Sequence, residues 1–284
     1  MIKQRQMTWA GAANGLSRFI IGLAKKLLIA NTAAQITDSL YAQSSYGTAA
    51  AWMMALSYMI QIYFDFSGYS DMAIGMGEMF GFYFKENFLH PYVAQSMQDF
   101  WQRWHVSLSS WFKDYVYIPL GGNRHGKAKE LRNKLIVFTL TGLWHGAAWT
   151  FVVRGLYHGI FLLLERTVLK VNSWPRIRRH LYTLLVVAAG FVIFRAESMT
   201  QAGLIIRSMF TPVAATGANN AAIAGFMTPL SIILLTVGVL AGIPWSKAVN
   251  LRPLPRYVLC GALWLLCYLN LSAATYNPFI YFRF

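Results

Sequence analysis

Six histidines punctuate the chain, at positions 90, 105, 125, 145, 158 and 180, and two of them stand where an imidazole could do chemistry. His145 lies inside Leu135–Val153, LIVFTLTGLWHGAAWTFVV, nineteen residues without a formal charge. At a helical rise of ~1.5 Å per residue it sits about 15 Å along from Leu135, roughly half the hydrocarbon depth of a bilayer. An ionisable side chain at that depth is costly and by default marks a functional site. Trp144, Gly146 and Trp149 crowd the same turn, as the walls of a shaped cavity would. A neutral imidazole can take a proton near neutral pH, which suits a general base removing a hydroxyl proton during acyl transfer. The plainer reading is a packed histidine satisfied by a neighbouring carbonyl. His105, beside Trp104, sits on a second and more polar stretch.

Other chemistries lack their residues. The histidines form no His-x-x-x-His pair, so metal-ligand spacing is absent, and no bound cofactor is expected. Gly68-Tyr69-Ser70-Asp71 is not a nucleophile elbow, and no Gly-Lys-Ser/Thr follows Gly121-Gly122 as a phosphate loop requires. No serine or cysteine nucleophile stands beside a base. Cys260 and Cys267 are seven apart in one apolar run, about 10 Å on a helix and too far for a disulfide. They read as packing residues.

The elements that must hold these histidines are membrane helices. Of the 284 residues 56% are hydrophobic and 12% charged, about half the charged fraction of a soluble domain. The runs Ser39–Phe64, Ser208–Trp245 and Tyr257–Phe282 carry no charge, and each exceeds the ~20 residues that cross a bilayer. The fold class is all-α: a polytopic helical membrane protein with re-entrant or interfacial amphipathic helices, in contact with the lipid bilayer. The net charge of +15 comes from short basic clusters between apolar runs. That is the positive-inside pattern and not a nucleic-acid surface. No signal peptide is read at the N-terminus.

Taken in order, Leu16–Ala30 is helical but broken by Lys25 and Lys26, which would snorkel or lie in the interface. Gly47–Phe64 is the first full span, and Asp65 and Asp71 interrupt the chain before the glycine-rich piece Met72–Phe84. Tyr92–Leu120 reads as one amphipathic helix, because Phe100, Trp101, Trp104, Leu108, Trp111, Phe112 and Tyr115 fall within an arc of roughly 120°. Pro119–Asn123 is a turn opening a basic loop, Arg124–Lys134. The nineteen-residue span and Gly155–Leu164 then form a hairpin whose flanking basic loops both face the cytoplasm. Arg154, between these pieces, either snorkels or pairs with an acid such as Glu165. Leu181–Phe194, Ala222–Gly242 and Tyr257–Ala274 are further membrane segments, and FIYFRF at the end is an interfacial aromatic tail.

Four stretches carry a resemblance: Phe64–Asp71 (FDFSGYSD), Asp99–Ser109 (DFWQRWHVSLS), Tyr117–Arg124 (YIPLGGNR) and Gly142–Ala147 (GLWHGA). In this order they resemble the membrane-bound O-acyltransferase (MBOAT) family, most closely its alginate O-acetylation branch, with the teichoic-acid D-alanylation branch more distant. The similarity is densest over 63–159 and extends loosely to the C-terminus, as one membrane-embedded domain over 1–284. Family members normally carry further membrane segments before the point where this chain starts, so part of the scaffold is expected to be missing. The resemblance implies that His145 is the intramembrane catalytic histidine and His105 the second polar position, filled by Asn or His in the family. Trp104, Trp144, Arg103, Asp65 and Asp71 are expected to support the site or line its substrate tunnel.

It further implies a bacterial inner-membrane enzyme. Its acyl donor would be acetyl-CoA from the cytoplasm, and its acceptor an exported or cell-envelope polysaccharide or an extracytoplasmic acetyl-relay protein. The basic loop Arg124–Lys134 would steer the donor's phosphates, unless it only signals topology. Two alternatives stand beside this reading. One is a truncated, non-catalytic membrane partner. The other is a proton-coupled transporter using Asp65, Asp71, Glu78 and His145, although the paired broken spans of two related halves are not seen.

Overall fold

In the computed structural model, which describes residues 6–146, 148–244 and 253–273, all regular structure is helical. Helix α1 (Trp9–Ala24) passes through a widened turn at Lys25–Ala30 into α2 (Asn31–Tyr41), and α3 (Thr48–Met79) follows. Then come α4 (Met97–Arg103), α5 (Val106–Phe112), α6 (Lys127–His145), α7 (Trp149–Leu164), α8 (Arg176–Arg195), α9 (Met199–Phe210), α10 (Gly217–Phe226), α11 (Pro229–Ala241) and α12 (Pro253–Ala273). Trp9–Tyr41, Arg176–Arg195 and Leu254–Ala273 are long and apolar enough to cross a membrane, and α10 with α11 makes a fourth if taken as one broken span. The chain is an all-α membrane protein. The FIYFRF tail lies outside the described residues.

The chain divides into two compact units. The first comprises Met1–Asp38, Met59–Asn87 and Ala224–Phe284. Its centre is a crossing of α1 and α3 built on glycines seven residues apart on each helix. A Cβ added at Gly15 would lie 2.4 Å from the Gly75 carbonyl oxygen, and one at Gly22 would lie 2.6 Å from that of Gly68. Only glycine lets two helix backbones meet this closely. As the α1 residue rises from 15 to 22 its α3 partner falls from 75 to 68, so the pair is antiparallel.

Charges beside this contact are matched. Lys26, 5% exposed, is ion-paired with Asp65, 3% exposed. Asp71 is held by Lys25 Nζ at 2.6 Å and by the Arg18 guanidinium at 2.9 Å. Two sequence expectations are corrected here. Lys25 and Lys26 do not snorkel, because carboxylates on α3 lie opposite them, and the helical path continues through them as the widened turn. The aspartates do not interrupt α3 either, which runs as one helix of 32 residues through the two pieces expected to be separate. Elsewhere in this unit α12 packs along α1, where Cys267 is buried against Ala24 and Leu27 and Arg256 donates to Asn14.

The second unit comprises Ser39–Tyr58 and Phe88–Ile223. Aromatic rings fill its core. Trp104 stacks on Phe100 at 5.6 Å between centroids, meets Phe88 at 5.0 Å and leans on Phe191 of α8 at 5.2 Å. Tyr58 approaches Phe191 edge-on from α3.

The single amphipathic helix expected over Tyr92–Leu120 is not found. The chain turns out of helix at Trp104 (φ −99°, ψ 124°) and His105 (φ 49°, ψ 54°), and α4 and α5 lie on either side. The break cancels the 3.6-residue register, so Trp104 is buried while Trp111 and Tyr115 are 51% and 68% exposed. A non-glycine residue in the left-handed region costs about 1–3 kcal/mol and persists where its surroundings hold it.

The nineteen-residue run is likewise not one span. α6 stops at His145, Gly146 takes a positive φ of 153°, and α7 starts at Trp149. The two helices return antiparallel at backbone contact: a Cβ at Gly155 would lie 2.2 Å from the Phe138 carbonyl oxygen, and one at Gly142 would lie 2.4 Å from that of Phe151. The hairpin therefore turns at the histidine and not at Arg154. The apolar arm of α6 from Leu135 to His145 reaches about 15 Å. At the open end Asn133 donates to the Leu120 and Gly122 carbonyls at 3.0 and 3.1 Å, pinning the Gly121-Gly122 turn. Glu130, 4% exposed, is ion-paired with Lys134 and Arg166.

Candidate active site at the hairpin tip

His145 is placed by the end of α6. Its ring meets Phe194 edge-on at 5.3 Å, lies near-parallel to Phe151 at 6.4 Å and neighbours Trp144 at 5.0 Å. His105 reaches the same neighbourhood from the left-handed break between α4 and α5. That backbone turn brings its ring to 6.2 Å from Trp144 and 6.5 Å from Phe88, with Nδ1 3.4 Å from the Ser107 hydroxyl. One indole, Trp144, thus touches both histidines, and residues forty apart in sequence converge on it.

A cavity of about 470 Å³ opens beside His105 in this unit. Its walls include His105, Trp101, Gln98, Gln102, Lys113 and Thr141, but not His145. A second cavity of about 430 Å³ shares Gln98 and Leu162 with the first and carries Lys134, Arg166 and Lys170. Among the described residues no group of three or more His, Cys, Asp or Glu side chains is placed to hold a metal.

The other expected site residues separate into two sets. Trp104 and Trp144 lie with the histidines. Arg103 is close in sequence but is taken up by Asp99 at 2.6 Å and by the Leu89 carbonyl. Asp65 and Asp71 belong to the other unit, in ion pairs with Lys26 and with Arg18 and Lys25.

Arg154 departs from the expectation that it snorkels. It is 5% exposed, so it does not snorkel, and its guanidinium carbon stands 3.8 Å above the Phe194 ring centroid. Glu165 instead accepts the Met97 backbone N–H at 2.7 Å.

Beyond the singled-out residues the structure adds His158, one helical turn after Arg154. It is 1% exposed and set edge-on to Trp101 at 5.2 Å. Neither ring nitrogen has a hydrogen-bond partner among the described residues. A Cβ at residue 190 would fall 2.5 Å from its ring, so Gly190 makes the room. The i, i+4 spacing of 154 and 158 on an otherwise apolar helix was the available signal.

The sequence of this all-helical membrane chain has counterparts among known proteins. Residues 12–201 match the membrane-bound O-acyltransferase family, MBOAT, and the chain belongs to that family. Among curated relatives it is 38% identical over 313 residues to the probable alginate O-acetylase AlgI of Azotobacter vinelandii, covering 96% of this chain and 62% of the relative. It is 42% identical over 209 residues to the peptidoglycan O-acetyltransferase of Helicobacter pylori, with 72% of this chain and 40% of that protein covered. It is 33% identical over 157 residues to the teichoic acid D-alanyltransferase of Bacillus subtilis, covering 49% and 40%. The chain spans about three fifths of the length of the alginate O-acetylases it matches most fully.

Proposed function

We propose that the protein is an O-acyltransferase that moves acetyl groups towards hydroxyls of an exported or cell-envelope polysaccharide, in a bacterial inner membrane that it crosses several times. The observation that carries this reading is the convergence of His105 and His145 on Trp144 beside a cavity, in a chain of the MBOAT family. Relatives named for alginate and peptidoglycan O-acetylation support the polysaccharide as acceptor class.

His145 is the general base. It removes the proton from the acceptor hydroxyl as that oxygen attacks the acyl carbon, and returns it to the leaving group. His105, on the cavity wall, orients donor or acceptor, and Trp144 holds both rings in place. The donor is acetyl-CoA, entering on the cytoplasmic side. The neighbouring cavity with Lys134, Arg166 and Lys170 supports entry by a phosphate-bearing molecule, since it adjoins the wall that carries His105. The acceptor side is met by the polysaccharide itself or by a relay protein that passes the acetyl group on.

The test is transfer of labelled acetyl from acetyl-CoA in membranes carrying the full chain. His145→Ala is expected to lower turnover by about 10²–10⁴-fold, the contribution of a positioned base. Retained transfer in that variant removes the assignment. No transfer by the unaltered chain, with its partners present, favours a non-catalytic role.

A further inference from the structure

The short helix α4 forms one wall of the cavity beside His105, and part of what holds that wall in place comes from far along the chain. Met97–Arg103 is seven residues long, too short to stand by its own hydrogen bonds. Its local sequence caps only part of its first turn. The Ser96 hydroxyl accepts the Asp99 N–H at 3.0 Å, and the Asp99 carboxylate accepts the Gln95 N–H at 3.1 Å. The N–H groups of Met97 and Gln98 are left over, as the first donors of a helix are. Glu165, 68 residues on at the end of α7, takes them: its carboxylate accepts the Met97 N–H at 2.7 Å and is also met by the Gln98 N–H. A carboxylate facing the start of a helix has the sign that the peptide dipoles favour. Arg179 of α8 lies within electrostatic range of the same carboxylate and donates to the Gln95 carbonyl at 3.3 Å.

This tie stands where the two cavities meet. Gln98 of α4 and Leu162 of α7 border both of them, and Glu165 borders the one that carries Lys134, Arg166 and Lys170. Further in, α4 meets α6 through Trp101 on Phe138 at 5.3 Å, an apolar contact on the wall around His105. At the neck the contact is polar and directional, so the opening between Gln98 and Leu162 is set by the bond from α4 to the end of α7. We infer that Glu165 is a positioning residue: it holds α4 at the separation from α7 at which a thioester donor threads from the basic cavity to His105. This rests on the acyltransferase reading above. The donor's anionic end stays with the lysines and Arg166, and its narrow arm passes the neck. Glu165 is bonded to backbone and borders the outer cavity alone, so it acts on the donor's entry and not on the chemical step.

The experiment compares Glu165→Ala, Glu165→Gln and Gln98→Trp in membranes carrying the full chain, with labelled acetyl-CoA as donor and the amount of folded protein measured for each. Glu165→Ala is expected to raise the donor KM by about ten-fold with kcat within about three-fold, the pattern of lost ground-state binding. Glu165→Gln keeps an oxygen that accepts an N–H, and should return the KM to within about three-fold of the parent. Gln98 is exposed, so an indole there fills the neck without crowding a core. Gln98→Trp should raise the donor KM by about ten-fold or more while Glu165 keeps its bond to α4. A carboxylate with a structural role alone would lower the amount of folded Glu165→Ala and leave the KM of the remainder unchanged, which overturns the inference. So does an equal KM in the Ala and Gln variants, or a Gln98→Trp chain whose donor KM stays within about three-fold of the parent. In each of these cases the parent still transfers acetyl and the reading stands. No transfer by the parent overturns the reading itself, and the inference with it.

Discussion

Glycine lets backbone touch backbone in both the α1–α3 crossing and the α6–α7 hairpin, but the charges beside the two contacts meet different partners. At the crossing, Lys26 faces Asp65 and Asp71 is shared between Lys25 and Arg18. At the hairpin, Arg154 and His145 lie against Phe194 and His158 against Trp101. A matched ion pair in an apolar setting is inert, because each charge offsets the desolvation cost of the other. Charges and imidazoles set on rings are not neutralised by the ring they meet. On the reading proposed above, the crossing is scaffold and the hairpin is the site, although acidic residues in the crossing look as conspicuous in the sequence as the histidines do.

The largest effect that would break this comparison is at the crossing. Asp65→Ala leaves Lys26 buried without its counter-charge and should cost about 3–5 kcal/mol, read as a lowered unfolding temperature of the solubilised protein. Pairing it with Lys26→Met should return most of that loss and leave acetyl transfer intact. A double variant that regains stability but not turnover would move Asp65 from scaffold to site.

Next come the glycines. Gly155→Ala puts a Cβ 2.2 Å from the Phe138 carbonyl, and Gly75→Ala puts one 2.5 Å from that of Gly15. Both should cost about 3 kcal/mol, the upper end of ordinary overpacking, since backbone atoms cannot swing aside. They should differ in function. Prising the hairpin apart shifts the His145 tip and lowers turnover in molecules that remain folded, whereas opening the crossing removes folded protein with unchanged turnover per molecule. Equal turnover in the two folded variants would erase the distinction. A smaller loss, about 2 kcal/mol for two hydrogen bonds, is expected from Asn133→Ala, which releases the Leu120 and Gly122 carbonyls at the hairpin's open end.

How much of this was legible in the residues depends on the range of the interaction. Hydropathy marks membrane helices because each run carries its own signal, and the family motifs picked out His105, His145 and their tryptophans. The partners of Lys26 and Lys25 lie 39 and 46 residues away, and nothing local to the lysines announces a carboxylate opposite. α6 ends before Gly146 inside an apolar run, where hydropathy does not change. The positive φ at Gly146 and the extended backbone at Ala148 separate one helix from two. The break at His105 is harder still, since a left-handed histidine has no compositional mark and the stripe of aromatic residues runs straight across it. Arg154 stood out as a charge in the wrong place, but its partner is a ring on α8 that charge matching would not seek.

The smallest expected effect sharpens the boundary of the site. Arg103 falls in a family motif beside Trp104 and His105, yet its side chain spans one helical turn to Asp99 and caps the Leu89 carbonyl, and the pair is about one-third exposed at both ends. A half-exposed i, i+4 pair is worth only about 0.3–0.5 kcal/mol, so Arg103→Gln should shift stability by less than about 1 kcal/mol. If its role is to tie α4 to the segment before it, turnover should stay within about two-fold, with any change falling on KM. A kcat loss approaching that expected of His145→Ala, without loss of folded protein, would show that Arg103 leaves Asp99 to meet substrate. The site would then extend along α4 from the histidine break, and the line between scaffold and site would run through this unit as well as between the crossing and the hairpin.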